Sequence, residues 1–201
     1  MAEPSVLDPP TVHHEFAGHG HGRKLALKEI DEDSELYGFM IETEAEVIRE
    51  LYDPLPDVLI GMANSANRIA RDVAPLLGDQ VVVLETEKNR LGHVIPTYAA
   101  RVALRNSIDP EFLLVIEDVG TTGKTVAKFA EKLSFWYTIP RLEAMFTWQR
   151  QPDLPVLDKR GIPYQAVINS PLKTYKDAKA CRQDPDGYCA NGVELIHRKK
   201  K

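Results

Sequence analysis

From residue 36 onward the hydrophobic positions follow two rhythms. Tyr37, Met40, Ile41, Glu44, Ala45, Ile48, Leu51 and Tyr52 recur at intervals of three and four, with Glu44 the polar exception, and the spacing predicts an amphipathic helix. Ser34 stands where a helix cap belongs. Asp53-Pro54 and Leu55-Pro56 end the pattern, because a residue before proline is driven out of the helical region. Five short apolar runs follow, each the length of a buried strand: Val58–Ile60, Val81–Leu84, Leu113–Ile116, Ala144–Phe146 and Ala166–Ile168. A helical pattern of Ile69, Ala70, Val73, Leu76 and Leu77 separates the first two runs, and another of Val126, Phe129, Ala130 and Leu133 follows the third. Apolar strands alternating with amphipathic helices predict an α/β fold, a mainly parallel five-stranded sheet with helices on both faces. Ligands of such sheets bind in the loops beyond the carboxyl ends of the strands.

The two ends differ from this middle. Residues 1–35 read as irregular, with Pro4, Pro9 and Pro10, a His/Gly run (His13, His14, His19, Gly20, His21, Gly22) and the acids Asp31-Glu32-Asp33. Residues 171–201 are polar and turn-rich and finish in Arg198-Lys199-Lys200-Lys201. The chain thus divides into an N-terminal segment (1–35), a core (36–170) and a C-terminal segment with a basic tail (171–201).

At 201 residues, 43% hydrophobic and 27% charged, the chain suits one ordinary α/β domain with decoration. The net charge of -5 argues against a broad nucleic-acid surface and leaves room for a small phosphate pocket. No apolar run approaches the roughly 20 residues that span a bilayer. The opening MAEPSVLDPP has neither the basic nor the apolar region of a secretory signal, so a cytoplasmic setting is expected. Cys181 and Cys189 are the two cysteines and are expected as reduced thiols. Seven residues separate them, against roughly two to four in a structural zinc site.

The stretch richest in chemistry is Leu113-Leu114-Val115-Ile116-Glu117-Asp118-Val119-Gly120-Thr121-Thr122-Gly123-Lys124-Thr125. An apolar strand ends in two acids, a loop of small and hydroxyl residues follows, and then an amphipathic helix begins. Glycines let backbone N–H groups converge on an anion, and the helix adds its positive end. Carboxylates beside a phosphate cradle suit a ligand with a polyol next to its phosphate, since they accept bonds from vicinal hydroxyls and attract Mg²⁺. Gly123-Lys124-Thr125 is not the end of a nucleotide-binding Walker loop, which needs a glycine where this chain has Asp118.

This segment closely resembles the phosphoribosyl pyrophosphate (PRPP) signature of the type I phosphoribosyltransferases. The resemblance implies that Glu117 and Asp118 meet the ribose hydroxyls and that Gly120, Thr121, Thr122, Gly123, Lys124 and Thr125 bind the 5′-phosphate. Lys124 stands where the family often has glycine. By the same resemblance Ala63, Asn64, Ser65, Ala66 and Asn67, after the first strand, form the pyrophosphate loop; by themselves they read equally as a strand-to-helix turn capped by Asn67. Glu85–His93, after the second strand, is similar to the long mobile loop of the orotate enzymes, with Lys88 as the catalytic lysine. Glu85 and Glu87 stand near an upstream position that is usually basic, and a solvated charged hairpin is the alternative reading. Arg150, after the fourth strand, and Lys24, in a glycine-rich N-terminal hood, are the implied base-binding cations, a guanidinium matching a carboxylate's geometry. The C-terminal segment would complete the hood.

The resemblance is greatest to orotate phosphoribosyltransferase. It implies Mg²⁺-dependent transfer of a phosphoribosyl group from PRPP to orotate, giving orotidine 5′-monophosphate and pyrophosphate, in a homodimer. A phosphoribosyltransferase for another base and a PRPP-binding regulator without turnover remain as alternatives.

Overall fold

The computed structural model describes residues 11–16, 20–25, 35–169, 174–175, 177–185 and 189–190. In chain order the elements are β1 (Thr11–Phe16), β2 (Gly20–Leu25), α1 (Glu35–Leu51), β3 (Val58–Gly61), α2 (Ser65–Leu77), β4 (Val82–Lys88), β5 (Val94–Pro96), α3 (Tyr98–Asn106), β6 (Phe112–Gly120), α4 (Lys124–Ser134), β7 (Arg141–Gln149), α5 (Pro155–Asp158), β8 (Tyr164–Asn169), β9 (Thr174–Tyr175) and α6 (Ala178–Gln183). Contacts divide the chain into two units, residues 1–31 with 171–201, and residues 32–170. No helix among the described residues is long and apolar enough to cross a membrane.

In the smaller unit β2 pairs antiparallel with both β1 and β9. The N-terminal segment, read from sequence as irregular, therefore contributes two strands. Their His/Gly composition has no apolar alternation, so pairing of the backbone is the whole of the signal. Asp177 caps α6 by accepting the Ala180 N–H at 2.9 Å. Cys181 is buried, Cys189 donates its N–H to Cys181 Sγ at 3.4 Å, and both are free thiols.

The larger unit is built on a six-stranded sheet of order β5-β4-β3-β6-β7-β8. Neighbours pair in parallel except β5, which runs antiparallel along β4. The sixth strand corrects the expected five. It has three residues and ends in Pro96, too short for periodicity to reveal, and an edge position is where a sheet tolerates proline. Its partner β4 continues through Glu85, Thr86, Glu87 and Lys88, so the expected mobile loop shrinks to a hairpin turn over 89–93. Asn89 Oδ1 shapes that turn by accepting the N–H groups of Leu91 and His93 at 2.9 and 3.0 Å. Helix α3 was also not expected. It buries only Ala100 and Leu104 and exposes Tyr98 and Val102, which leaves too few apolar positions to reveal a period.

The centre of the sheet is where the core sits. All four residues of β3 and the first five of β6 are buried. Ile69, Val73 and Leu77 of α2 and Val126, Phe129 and Leu133 of α4 cover it, each fully buried side chain of this size contributing roughly 1.5–3 kcal/mol. The connection from β3 to β4 and that from β6 to β7 run in opposite directions along the sheet. Right-handed crossovers then place α2 and α4 on opposite faces. Asp57 aligns the starts of β3 and β6, its carboxylate accepting the N–H groups of Glu111 and Phe112 at 3.0 and 2.8 Å. Helix α1 packs on α2, with Tyr37 donating to Asp72 at 2.5 Å and the Arg68 guanidinium 4.2 Å above the Tyr37 ring.

Glu44, the polar exception of the α1 stripe, is 0% exposed. Thr147 of β7 donates its hydroxyl to Glu44 Oε2 at 2.8 Å, while Oε1 has no hydrogen-bond partner. Burial pushes the carboxyl up to about 7, the Thr147 bond acts against that, and the charge of Asp118 adds to it. The folded state therefore holds this proton more tightly than the unfolded chain does. Stability linked to Glu44 is complete below its ordinary value of 4.5 and is lost as pH rises to about 7. Glu44→Gln should gain on the wild type by on the order of 3 kcal/mol at pH 8 and by far less at pH 4.5. Urea unfolding at the two pH values measures this, and parallel profiles would refute it.

Gly61 ends β3 under the first turn of α2. A Cβ there would lie 2.4 Å from Asn67 Cα and 2.5 Å from the Ala66 carbonyl oxygen, both rigid backbone atoms. Gly61→Ala should cost about 1–3 kcal/mol or more. Gly38 lies exposed within α1 with nothing within 4 Å of its would-be Cβ, so Gly38→Ala should stabilise by about 0.5–1 kcal/mol. Opposite signs in thermal melts are the expected outcome; a neutral Gly61→Ala would mean the β3–α2 junction yields.

Candidate active site

The strand order has one switch point. The chain leaves β3 for β4 on one side, while β6 lies on the other, so the loops after β3 and β6 diverge and open a crevice between them. Each loop runs directly into a helix, α2 or α4. Asn64 and Gly123 occupy the cap positions of the two helices and neither supplies a side-chain cap; at α4 the hydroxyl of Thr122 accepts the first helix N–H, that of Lys124, at 3.4 Å. Two sets of first-turn N–H groups, each with the positive end of a helix behind it, thus stand on adjacent parallel strands.

The loop after β3 is held from β4. Met62 donates its N–H to the Ile116 carbonyl at 2.9 Å. Thr86, buried on β4, accepts the Ala63 N–H at 2.7 Å and donates its hydroxyl to the Gly61 carbonyl at 2.7 Å. Asn67 pairs with the backbone of the same residue, its Nδ2 donating to Thr86 O at 2.7 Å and its Oδ1 accepting Thr86 N–H at 3.1 Å. The carboxamide of Asn67 is thus committed to β4 and is not the helix cap. Under this clamp Ala63 and Asn64 take φ of 55° and 47°. Left-handed conformations of non-glycine residues cost roughly 1 kcal/mol or more each and persist where the surroundings impose them. The side chains of Ala63 and Ala66 are buried, so these two residues can offer a ligand only backbone.

The acids lie inside β6 rather than beyond it, because β7 continues the ladder as far as Gly120 opposite Gln149. Ser65, in the first turn of α2, donates its hydroxyl to Asp118 Oδ2, and Val119 N–H donates to Asp118 Oδ1 at 2.9 Å. Burial pushes Glu117 up to about 8, and the neighbouring charge of Asp118 adds to this. A hydrogen bond from Thr125 and the ammonium of Lys88 pull the other way. Lys88, Glu117, Asp118, Ser65 and Thr125 are therefore one electrostatic cluster, drawn from β4, β6, α2 and α4.

The turn that follows leaves Thr121, Thr122 and Lys124 exposed and buries Gly120 and Gly123. A Cβ at Gly120 would lie 2.8 Å from the Phe146 ring. Gly123, at φ 67°, has Leu157 2.6 Å from its would-be Cβ, so this turn needs glycine on both counts. Arg150 is tied to the same turn, its N–H donating to the Gly120 carbonyl at 2.8 Å. It is mostly buried, and burial lowers its guanidinium pKa. The side chain of Lys24 lies outside the described residues. Glu85, the acid noted in the sequence, forms an exposed 3.5 Å ion pair with Arg71 of α2.

Thr86 and Glu44 were not singled out as site residues from sequence. The burial of alternate residues Leu84 and Thr86 marks β4 as a strand, but the surrounding Glu85, Glu87 and Lys88 disguise it as a charged loop.

No protein-family model matches the sequence, and no curated protein matches it significantly. Solved structures do match the fold. An orotate phosphoribosyltransferase from Aeropyrum pernix superposes with a TM-score of 0.58 at 19% identity, over 78% of this chain and 85% of that one. An adenine phosphoribosyltransferase from Leishmania tarentolae gives 0.60 at 14% identity, over 83% and 88%. The orotate phosphoribosyltransferase of Mycobacterium tuberculosis in complex with PRPP gives 0.54 at 13% identity, over 73% and 80%. The parallel sheet, its switch point and the two helix starts beside it are thus built on the type I phosphoribosyltransferase fold.

Proposed function

We propose that this protein transfers the 5-phosphoribosyl group of PRPP to a nucleobase, with orotate the favoured acceptor, releasing pyrophosphate. The observation that carries the reading is the pair of helix starts on adjacent parallel strands, entered through Asn64 and Gly123, with Glu117 and Asp118 beside them. A ligand with a phosphate at one end, a diphosphate at the other and a diol between them matches that arrangement. In this reading the N–H groups of residues 121–125, with the hydroxyls of Thr121, Thr122 and Thr125, take the 5′-phosphate. Glu117 and Asp118 accept the ribose hydroxyls, and the backbone of residues 63–67 takes the diphosphate.

The chemistry asks little of general acids or bases. Charge builds on the departing diphosphate while the ribose acquires cationic character, so positioning and electrostatics supply the rate. The carboxylates lie on the side of the developing cation. Lys88 offers its ammonium to the developing diphosphate charge. The hard oxygen donors here suit Mg²⁺, which supplies charge neutralisation of the diphosphate when bound. Asp118 and Glu117 are the residues that would assist in holding it beside the oxygens of PRPP itself.

Choice of base rests on the end of β7. Orotate carries a carboxylate, and an anion in a closed site needs a cation. Arg150, anchored to the phosphate turn through Gly120, supports that acceptor. The likeness to an adenine enzyme supports a purine as the second reading.

Incubating the protein with PRPP, Mg²⁺ and each of orotate, uracil, adenine and hypoxanthine, and following pyrophosphate release, tests both. Release with orotate alone is the expected result. Release with adenine or hypoxanthine but not orotate would move the assignment to a purine, and release with none would remove the transferase reading. The double variant Glu117→Gln with Asp118→Asn should nearly abolish PRPP binding while leaving the fold intact. Unchanged PRPP affinity by calorimetry would sink the assignment of the pair.

Lys88→Ala should lower kcat far more than it raises KM for PRPP. A contact made mainly in the transition state contributes on the order of 2–4 kcal/mol. An unchanged kcat would remove Lys88 from the catalytic role.

A further inference from the structure

Helix α4 carries a row of cations of which the proposed reaction uses only the first, Lys124. Lys124, Lys128 and Lys132 recur at four-residue intervals and so project from one face, spanning about 12 Å at 1.5 Å per residue. They line a cleft of 460 Å³ whose opposite wall is Gly92, His93 and Val94 of the β4–β5 hairpin. Phe129 is buried at its floor, and Phe135, 77% exposed, stands at its far end. The volume lies within the roughly 300–1,000 Å³ of small-molecule sites.

The charge in this cleft is not balanced from within. Glu131 is the acid among the lining residues, and it is engaged by Arg160 at 2.8 Å. Among the described residues none of the three lysines forms an ion pair. Like charges four residues apart on a helix oppose helix formation. In a chain of net charge -5 the row therefore concentrates positive potential at some cost to the helix itself.

We infer that this cleft binds a nucleoside di- or triphosphate, the phosphate chain lying along Lys124, Lys128 and Lys132 and the base stacking on Phe135. Three ammonium groups in line match a chain of phosphates, each a point-charge donor to non-bridging oxygens. An exposed aromatic ring at the end of the row matches a planar heterocycle, and a simple anion would leave that ring unused. The row begins at Lys124 and Thr125, which belong to the turn after β6. Occupancy of the cleft therefore reaches the same turn that the phosphoribosyl reading assigns to the 5′-phosphate, and the ligand would modulate PRPP affinity. The binding itself does not depend on that reading.

Isothermal titration of the full chain with ATP and, separately, with inorganic tripolyphosphate tests the inference without any assay of turnover. ATP should bind saturably and more tightly than tripolyphosphate. Lys128→Ala with Lys132→Ala, an exposed and a half-buried position where alanine favours the helix, should weaken both ligands by roughly tenfold or more. Phe135→Ala should weaken ATP and leave tripolyphosphate unchanged. If the double lysine variant binds ATP as the wild type does, the anion sits in the β6–α4 turn and the cleft is not its site. Equal affinity for ATP and tripolyphosphate would overturn the nucleoside part, and absence of saturable binding would overturn the whole.

Discussion

The site depends on the hold that one buried threonine has over a strained loop. Thr86 joins β4 to the loop after β3 through its hydroxyl and its backbone, taking both polar groups of the Asn67 carboxamide in the process. With the Met62–Ile116 backbone bond, these contacts hold Ala63 and Asn64 at positive φ, a conformation costly for alanine above all. With them, the first N–H groups of α2 stay turned toward the crevice, and Ser65 stays within reach of Asp118. The clamp is made of neutral groups in a buried place, so salt and pH within the ordinary range leave it alone.

Around that clamp the electrostatics are strained in one direction. Glu44, Glu117 and Asp118 approach one another from α1 and β6, and burial raises the first two. Lys88 and the hydroxyls of Thr125, Thr147 and Ser65 offset only part of this. A pocket that holds carboxyls at such cost is prepared for something that rewards a carboxylate: hydroxyl donors, a cation, or a carbon acquiring positive charge. The same accumulation costs the empty protein stability as pH rises, which is the usual relation between a prepared site and its scaffold.

Much of this was legible in the sequence because burial on both faces leaves a plain mark. The apolar runs at 58–60, 113–116, 144–146 and 166–168 all fall on strands, and α2 and α4 appear where Ile69, Val73, Val126 and Phe129 recur. The acid pair and Thr-Thr-Gly turn were legible because few other arrangements require those residue types in that order. What escaped is what owes its structure to pairing rather than to pattern. Strand β5 is a three-residue edge, β1 and β2 are His- and Gly-rich, and α3 buries only Ala100 and Leu104. Thr86 escaped for a related reason, since a lone hydroxyl between two glutamates announces no partner. Asn67 read naturally as a cap, and only the position of β4 shows where its carboxamide goes.

The adjacency of β3 and β6 has a mechanical meaning. Their ladder pairs Gly61 with Ile116, and parallel neighbours in a sheet stand about 4.8 Å apart. The helix starts rooted at those two strand ends therefore form a gauge whose jaws cannot be opened without breaking the centre of the sheet. In the proposed reading such a gauge would select by the separation of two anions, whatever else the ligand carries. The end of β7, by contrast, lies one strand further out, pairing along β6 to Gly120 and joining the phosphate turn through the Arg150 N–H. That end can be rebuilt to admit a different partner molecule while the measuring part stays as it is.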